Sequence, residues 1–166
     1  MSAPDHPGIR KVAAALSEAG HHEAAEGIRV LADAVRTAAE AAAAVGVPVG
    51  AIANSLVFAA VTGGVAAPLL VLTSGAHRAD TGLLAELAGV DSVERATPAF
   101  VREHTGQVIG GVSPLGHPAP IRTFVDRDLA RYEVVWAAAG HPHAVFPTTC
   151  AGLVELTGGT PAEVAR

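Results

Sequence analysis

Eight histidines, a single cysteine and one Gly-Gly-Val-Ser-Pro run are the residues of this 166-residue chain whose types could carry chemistry. His141 and His143 flank Pro142, a spacing that puts two imidazoles on one face of a strand and can support metal binding. No HExxH, cysteine pair or neighbouring acidic cluster completes a ligand set, so we read them as polar residues lining a turn and expect no metal. His21 and His22 read as a solvated helix end, and His77 as a loop residue ahead of Asp80. His117 lies inside a Gly/Pro-rich loop. Cys150 could act as a nucleophile beside a histidine base, but no nucleophile motif surrounds it, and a lone cysteine is more often a small buried hydrophobe. Ser55, Ser74 and Ser113 lack the G-x-S-x-G elbow of a serine hydrolase. Gly110 and Gly111 are not followed by the helix start of a phosphate loop.

The most specific local feature is Gly110-Gly111-Val112-Ser113-Pro114. Two glycines after a strand allow positive φ and close approach of a ligand, and the proline stiffens the loop. Two readings stand: a plain β-turn, which the pattern alone favours, and a rigid loop whose N–H groups bind a carbonyl or carboxylate oxygen.

The elements that must position these residues follow from periodicity and caps. Ile9, Val12, Ala13 and Leu16 predict an amphipathic helix over 7–19, ended by Gly20. Gly27–Leu31 is a possible strand. Thr37 and Glu40 form a capping-box pattern for an alanine-rich helix ending at Gly46. Asn54–Ala60 and Leu69–Ser74 are expected to be short, fully buried strands joined through Thr62-Gly63-Gly64. Asp80 and Thr97 are N-caps, the second followed by Pro98; their helices end at Gly89 and near Gly106. Strands are expected at Val108–Ile109, Ile121–Val125 and Val134–Ala138, with a loop over 110–120. Thr148 or Thr149 starts a helix closed by Gly158, and Thr160 to Glu163 is a second capping box for a last short helix. Strands and helices alternate at short spacing, which predicts one mixed α/β domain over 1–166.

Composition narrows the function classes. Half of the residues are hydrophobic, enough for a core. Ala41 to His77 carries no Asp, Glu, Lys or Arg, but Pro48, Gly50, Asn54, Ser55, Gly63, Gly64 and Pro68 interrupt it too often for a membrane span of about 20 apolar residues. The first ten residues are no signal peptide. One cysteine permits no disulfide framework and suits a reducing cytoplasm. The net charge is −5, and Lys11 is the single lysine among eleven basic side chains. This is not the clustered charge of a broad nucleic-acid surface, so any RNA contact must be local.

An ordered series of segments resembles the YbaK/EbsC family, which includes the editing domain inserted in some bacterial prolyl-tRNA synthetases. The segments are Thr37–Glu40, Ile52–Phe58, Val71–Gly75 with His77, Arg78 and Asp80, Thr105-Gly106, Gly110–His117 and Gly140–Phe146; together they span about 37–158. The resemblance implies a mixed α/β fold with a curved, barrel-like mixed sheet and surrounding helices, no cofactor, and hydrolysis of the ester of a mischarged aminoacyl-tRNA in trans. It implies that Gly110, Val112, Pro114, His117 and Gly140 line the substrate site, with main-chain groups of Gly111 to Ser113 at the acyl carbonyl. Asn54 then orients the terminal ribose or α-amino group, and His141 or His143 is the candidate proton carrier. Aminoacyl-tRNA is the implied partner, with an aminoacyl-tRNA synthetase as a further one. Two departures bear on activity. Asn54 stands where editing members carry lysine, and Ala138 and Val145 stand where the cysteinyl-tRNA subgroup has serine and aspartate. A non-catalytic module that binds an amino acid or nucleotide end in the same pocket, or a synthetase-associated subunit, is the alternative.

Overall fold

The structure, a computed structural model, describes residues 6–35, 37–107 and 112–165. Its helices begin where the cap chemistry places them. Thr37, Asp80, Thr97 and Thr149 each accept the N–H three residues on, and so start α3 (Ala38–Val45), α4 (Thr81–Ala88), α5 (Pro98–Thr105) and α6 (Cys150–Thr157). Each satisfies one of the otherwise orphaned first-turn donors. Gly46, Gly89, Gly106 and Gly158 end these four helices in the left-handed conformation. α1 (Pro7–Glu18) is capped by His6, and a short α2 (His22–Glu26) follows it.

Eight strands form one mixed sheet: β1 (Arg29–Val30), β2 (Ile52–Thr62), β3 (Val65–Ser74), β4 (Ser92–Arg95), β5 (Arg122–Asp126), β6 (Val135–Ala138), β7 (Ala144–Thr148) and β8 (Thr160–Ala162). Their order is β1-β7-β6-β2-β3-β5-β8, with β4 also on β2. Pairings β2–β6, β3–β5 and β5–β8 are parallel and the rest antiparallel. The expected mixed sheet is therefore present. Among the described residues no pairing joins β1 to β8.

Helices cover both faces. Leu70, Leu72, Val125, Ala137 and Phe146 meet Ile9, Val12 and Leu16 of α1 and Leu153 of α6 on one side. On the other, Leu69, Val71 and Phe124 meet Leu84 and Ala88 of α4, while Ile52, Trp136 and Val145 meet Ala41 and Ala42 of α3. No described helix is long and apolar enough to cross a membrane.

Several expectations need correction. The β2–β3 hairpin is far longer than two short buried strands, and most of β2 after Ala53 is only partly buried. Its turn residues Gly63 and Gly64 both have positive φ, which suits a two-residue hairpin turn. Thr160-Pro161-Ala162 caps no helix; it is β8, paired with Phe124 to Asp126. Proline is tolerated there because β8 is an edge strand. His21 is not a solvated end: its side chain is 17 % exposed and bonds Glu155 at 2.8 Å. The Val108–Ile109 strand, with Gly110 and Gly111, lies outside the described residues.

Candidate functional site

A cavity of about 250 Å³ opens where β2, β6 and the N-terminal end of α3 meet. Its walls include Ile52, Asn54, Trp136, Ala138, Val145, Ala38 and Ala41, with Val112, His141 and Pro142 at its margin. The sheet register explains the grouping. Ile52 lies opposite Trp136, and Ala138 opposite Val145. Alternation along β2 then puts Asn54 and Leu56 on the same face as Ile52. α3 reaches this face because Gly75 has no side chain; a Cβ there would strike the Val49 carbonyl and come within 2.7 Å of Ala38 Cβ. The first turn of α3, capped by Thr37, adds the positive end of a short helix dipole to the wall. Among the described residues the lining carries no Asp, Glu, Lys or Arg side chain. Arg29, paired with Val145 on the neighbouring strand, sets its guanidinium 4.8 Å from the centre of the Trp136 ring.

His141 and His143 do not lie on a strand face. They form the turn between β6 and β7, closed by Ala139 N–H to the Ala144 carbonyl (2.9 Å) and Ala144 N–H to the His141 carbonyl (3.0 Å). The segment before α3 straps this turn: Leu31 and Val35 N–H donate to the carbonyls of His143 and Pro142 at 2.6 and 3.0 Å. The side-chain bonds assign the tautomers. His143 N–H donates to His141 Nδ1 at 3.0 Å, so neutral His141 carries its proton on Nε2. His143 Nδ1 lies 3.1 Å from the Leu31 carbonyl, which can only accept, so Nε2 of neutral His143 holds the free lone pair. Burial first, then His6 and His143, hold the His141 pKa below its ordinary value. His141, which lines the cavity, therefore carries an N–H donor in its neutral form, while His143, the acceptor of the pair, is absent from the cavity lining. Behind them, the His6 ring packs edge-on against His141 at 4.5 Å, and His6 caps α1. Gly140 has φ +86°, and a Cβ on it would lie 2.5 Å from the Gly8 carbonyl oxygen. It seats the histidine turn on the start of α1 and is absent from the cavity lining.

The Gly/Pro loop is placed differently. Val112 lines the cavity, but Ser113 is fully buried and internally bonded. Its N–H donates to Gln107 Oε1 at 2.7 Å, and its Oγ donates to the Leu115 carbonyl at 2.6 Å and accepts from Gln107 Nε2 at 3.0 Å. Its main-chain donor is thus already engaged. Pro114 and His117 line a second, separate cavity. His117 Nε2 donates to the Ser113 carbonyl at 2.8 Å, and burial foremost lowers its pKa. Cys150 opens α6 as a buried residue of the core, as expected of a small hydrophobe.

His77 is more than a loop residue. Its Nδ1 lies 2.8 Å from Asp126 and its Nε2 3.1 Å from Asp128. Asp126 also accepts from Ser74 N–H and Asp128 N–H, both at 3.0 Å. These three side chains are the one group of potential metal ligands among the described residues. Both ring nitrogens already face carboxylates, and the cluster ties the end of β3 to the turn after β5. Sequence reasoning missed it because Asp126 is 49 positions from His77. It also missed Trp136, His6 and Gln107, which carry no motif; only strand register and loop contacts identify them.

A family model described as an aminoacyl-tRNA editing domain matches residues 32–156. A proline–tRNA ligase of Stenotrophomonas maltophilia is 32% identical over 95 residues, which is 57% of this chain and 17% of that protein. The chain thus spans about a sixth of the length of that relative. Among solved structures, one described provisionally as a trans-editing enzyme for prolyl tRNA synthetase is 41% identical, with a TM-score of 0.86 over 97% of this chain and 98% of the other. A scaffold protein used for epitope grafting is 38% identical, with a TM-score of 0.87 over 96% and 98%.

Proposed function

We propose a hydrolytic function for this chain, which belongs to the aminoacyl-tRNA editing domain family. It cleaves the ester of a mischarged aminoacyl-tRNA in trans, and prolyl-tRNA synthetase is the system its relatives point to. The observation that carries this reading is the convergence of Asn54 and His141, far apart in sequence, on one cavity with largely apolar walls.

An aminoacyl ester is already activated, so positioning plus stabilisation of the developing oxyanion does most of the work. Asn54 supplies neutral hydrogen bonds to the ribose or α-amino group. His141 Nε2–H donates to an oxygen of the ester. His143, with Nε2 unprotonated and set behind the residues that line the cavity, is the proton acceptor for the attacking water, reached through one further water. Arg29, held over Trp136 beside the wall, meets a phosphate of the acceptor end. A local cation of this kind suits a chain of net charge −5 better than a broad basic face.

The test is single-turnover deacylation over a panel of mischarged tRNAs, including several amino acids on the proline tRNA. Release of one small amino acid well above the spontaneous rate is expected. No release from any member would overturn the hydrolase. Asn54 favours a second reading: the neutral amide, where editing members carry lysine, suits a module that binds without cleaving. Turnover that appears only in Asn54→Lys would establish that reading.

A further inference from the structure

β2 and β6 part company one rung too early. The register pairs Ile52 with Trp136 and Ala53 with Ala137 in parallel, and both strands run on, β2 to Thr62 and β6 to Ala138. The next rung would pair Asn54 with Ala138 by a bond from Ser55 N–H to the Ala138 carbonyl, and the ladder stops before it.

The directions of these two groups follow from the neighbouring bonds. The Ile52 carbonyl accepts from Gly75 N–H on the β3 side at 2.8 Å, and the Val61 carbonyl accepts from Asp91 N–H on the opposite edge at 2.9 Å. The β2–β3 register is unbroken from Ala53–Ser74 to Thr62–Val65. Even-numbered residues of β2 therefore bond β3, and Ser55 turns its N–H toward β6. In β6, Ala139 N–H bonds the Ala144 carbonyl of β7, so Ala138 turns its main chain toward β2. β4 rejoins that edge of β2 only from Phe58 onward. Ser55 and Ala138 both line the cavity. Ser55 does so through its main chain: alternation turns its side chain to the face opposite Asn54, where its Oγ is buried with no partner among the described residues.

We propose that this split is the docking site for the aminoacyl group itself: Ser55 N–H donates to the acyl carbonyl oxygen, and the Ala138 carbonyl accepts from the α-ammonium. The substrate takes the place of the missing rung. A main-chain donor and acceptor left out of the ladder each take a partner from whatever fills the cavity, and an α-aminoacyl ester offers one of each kind on adjacent atoms. Because the contacts are main-chain, they recognise the α-amino acid skeleton and leave side-chain selection to the walls. The Ser55 donor also stays on the oxygen as it gains charge during attack. This inference rests on the hydrolase reading for its ligand, and it is tested separately.

The probe is 3′-deoxy-3′-(alanylamino)adenosine, a non-hydrolysable amide analogue, titrated into 15N-labelled protein. A saturable downfield shift of the Ser55 amide proton is expected. The propionylamino analogue, which lacks the ammonium, should bind at least about tenfold more weakly, as for loss of a charged hydrogen bond. Ser55→Pro deletes the N–H but no β2–β3 bond; with folding checked by its thermal melt, it should weaken binding by a similar factor. An unmoved Ser55 amide at saturation, equal binding of the two analogues, or no binding at millimolar probe overturns the proposal, whether or not the proline variant folds. Wild-type deacylation with a silent Ser55 amide would reject the split and keep the hydrolase. A shifted amide in a protein that deacylates no tRNA would do the reverse.

Discussion

The strand segment around Asn54 and the loop from Val112 to His117 carry comparable polar inventories, and the fold treats them in opposite ways. In the loop, the Ser113 N–H and hydroxyl are bonded to Gln107 and Leu115, and its carbonyl to His117. In the strand segment, Asn54 faces an open cavity and the Ser55 main chain meets a split between strands. Polar groups satisfied by their own loop hold shape; polar groups that the fold leaves open can bind. The comparison predicts that damage to the loop is read in stability and damage to the strand segment in turnover.

The largest effect is expected at Gln107. Gln107→Ala strands the buried Ser113 N–H, and the penalty for an unsatisfied buried donor plus the lost packing should lower unfolding free energy by about 3 kcal/mol. Denaturant unfolding measures this, with deacylation of the remaining folded protein kept within about twofold. A stable Gln107→Ala protein that has lost turnover would break the comparison, because the loop would then be part of the chemistry.

Asn54→Ala should show the converse. Asn54 is exposed, so stability should hardly change. Single-turnover deacylation should fall at least about tenfold, equivalent to about 1.4 kcal/mol of transition-state stabilisation. Unchanged turnover would move the positioning role elsewhere on the wall.

A smaller effect is expected at Arg29. Arg29→Glu should raise KM for tRNA by roughly threefold to tenfold at low salt, and the difference should shrink as salt is added, as for one phosphate contact. A salt-independent loss of kcat would show instead that Trp136 had been displaced.

The smallest is a pH slope. Burial lowers the His117 pKa from 6.5, so the unfolded chain binds more protons than the folded one below that pH. His117 thus contributes stability above pH 6.5 that is lost as pH falls from 6.5 toward the lowered value. His117→Asn should flatten this slope in unfolding free energy and leave it unchanged above pH 7. An identical slope in the variant would mean that other groups set it.

What the sequence determined by itself was the local chemistry. Cap residues and terminating glycines act within one turn, so the starts at Thr37, Asp80 and Thr97 and the stop at Gly46 were legible without partners, and the last start was narrowed to Thr148 or Thr149. The Gly63-Gly64 turn was legible for the same reason. The family likeness was legible because its segments keep their order along the chain. The tertiary structure decided everything that needs a second strand. β4, β7 and β8 have four, five and three residues, and they exist because a partner edge accepts them. Thr160 and Pro161 carry a helix-start signal, and strand pairing with β5 overrode it. The candidate site belongs to this second class. Which face Asn54 occupies, which nitrogen of His141 holds the proton, whether Ser113 is free, and where β2 leaves β6 all depend on register. Register is a relation between distant segments that no single segment encodes.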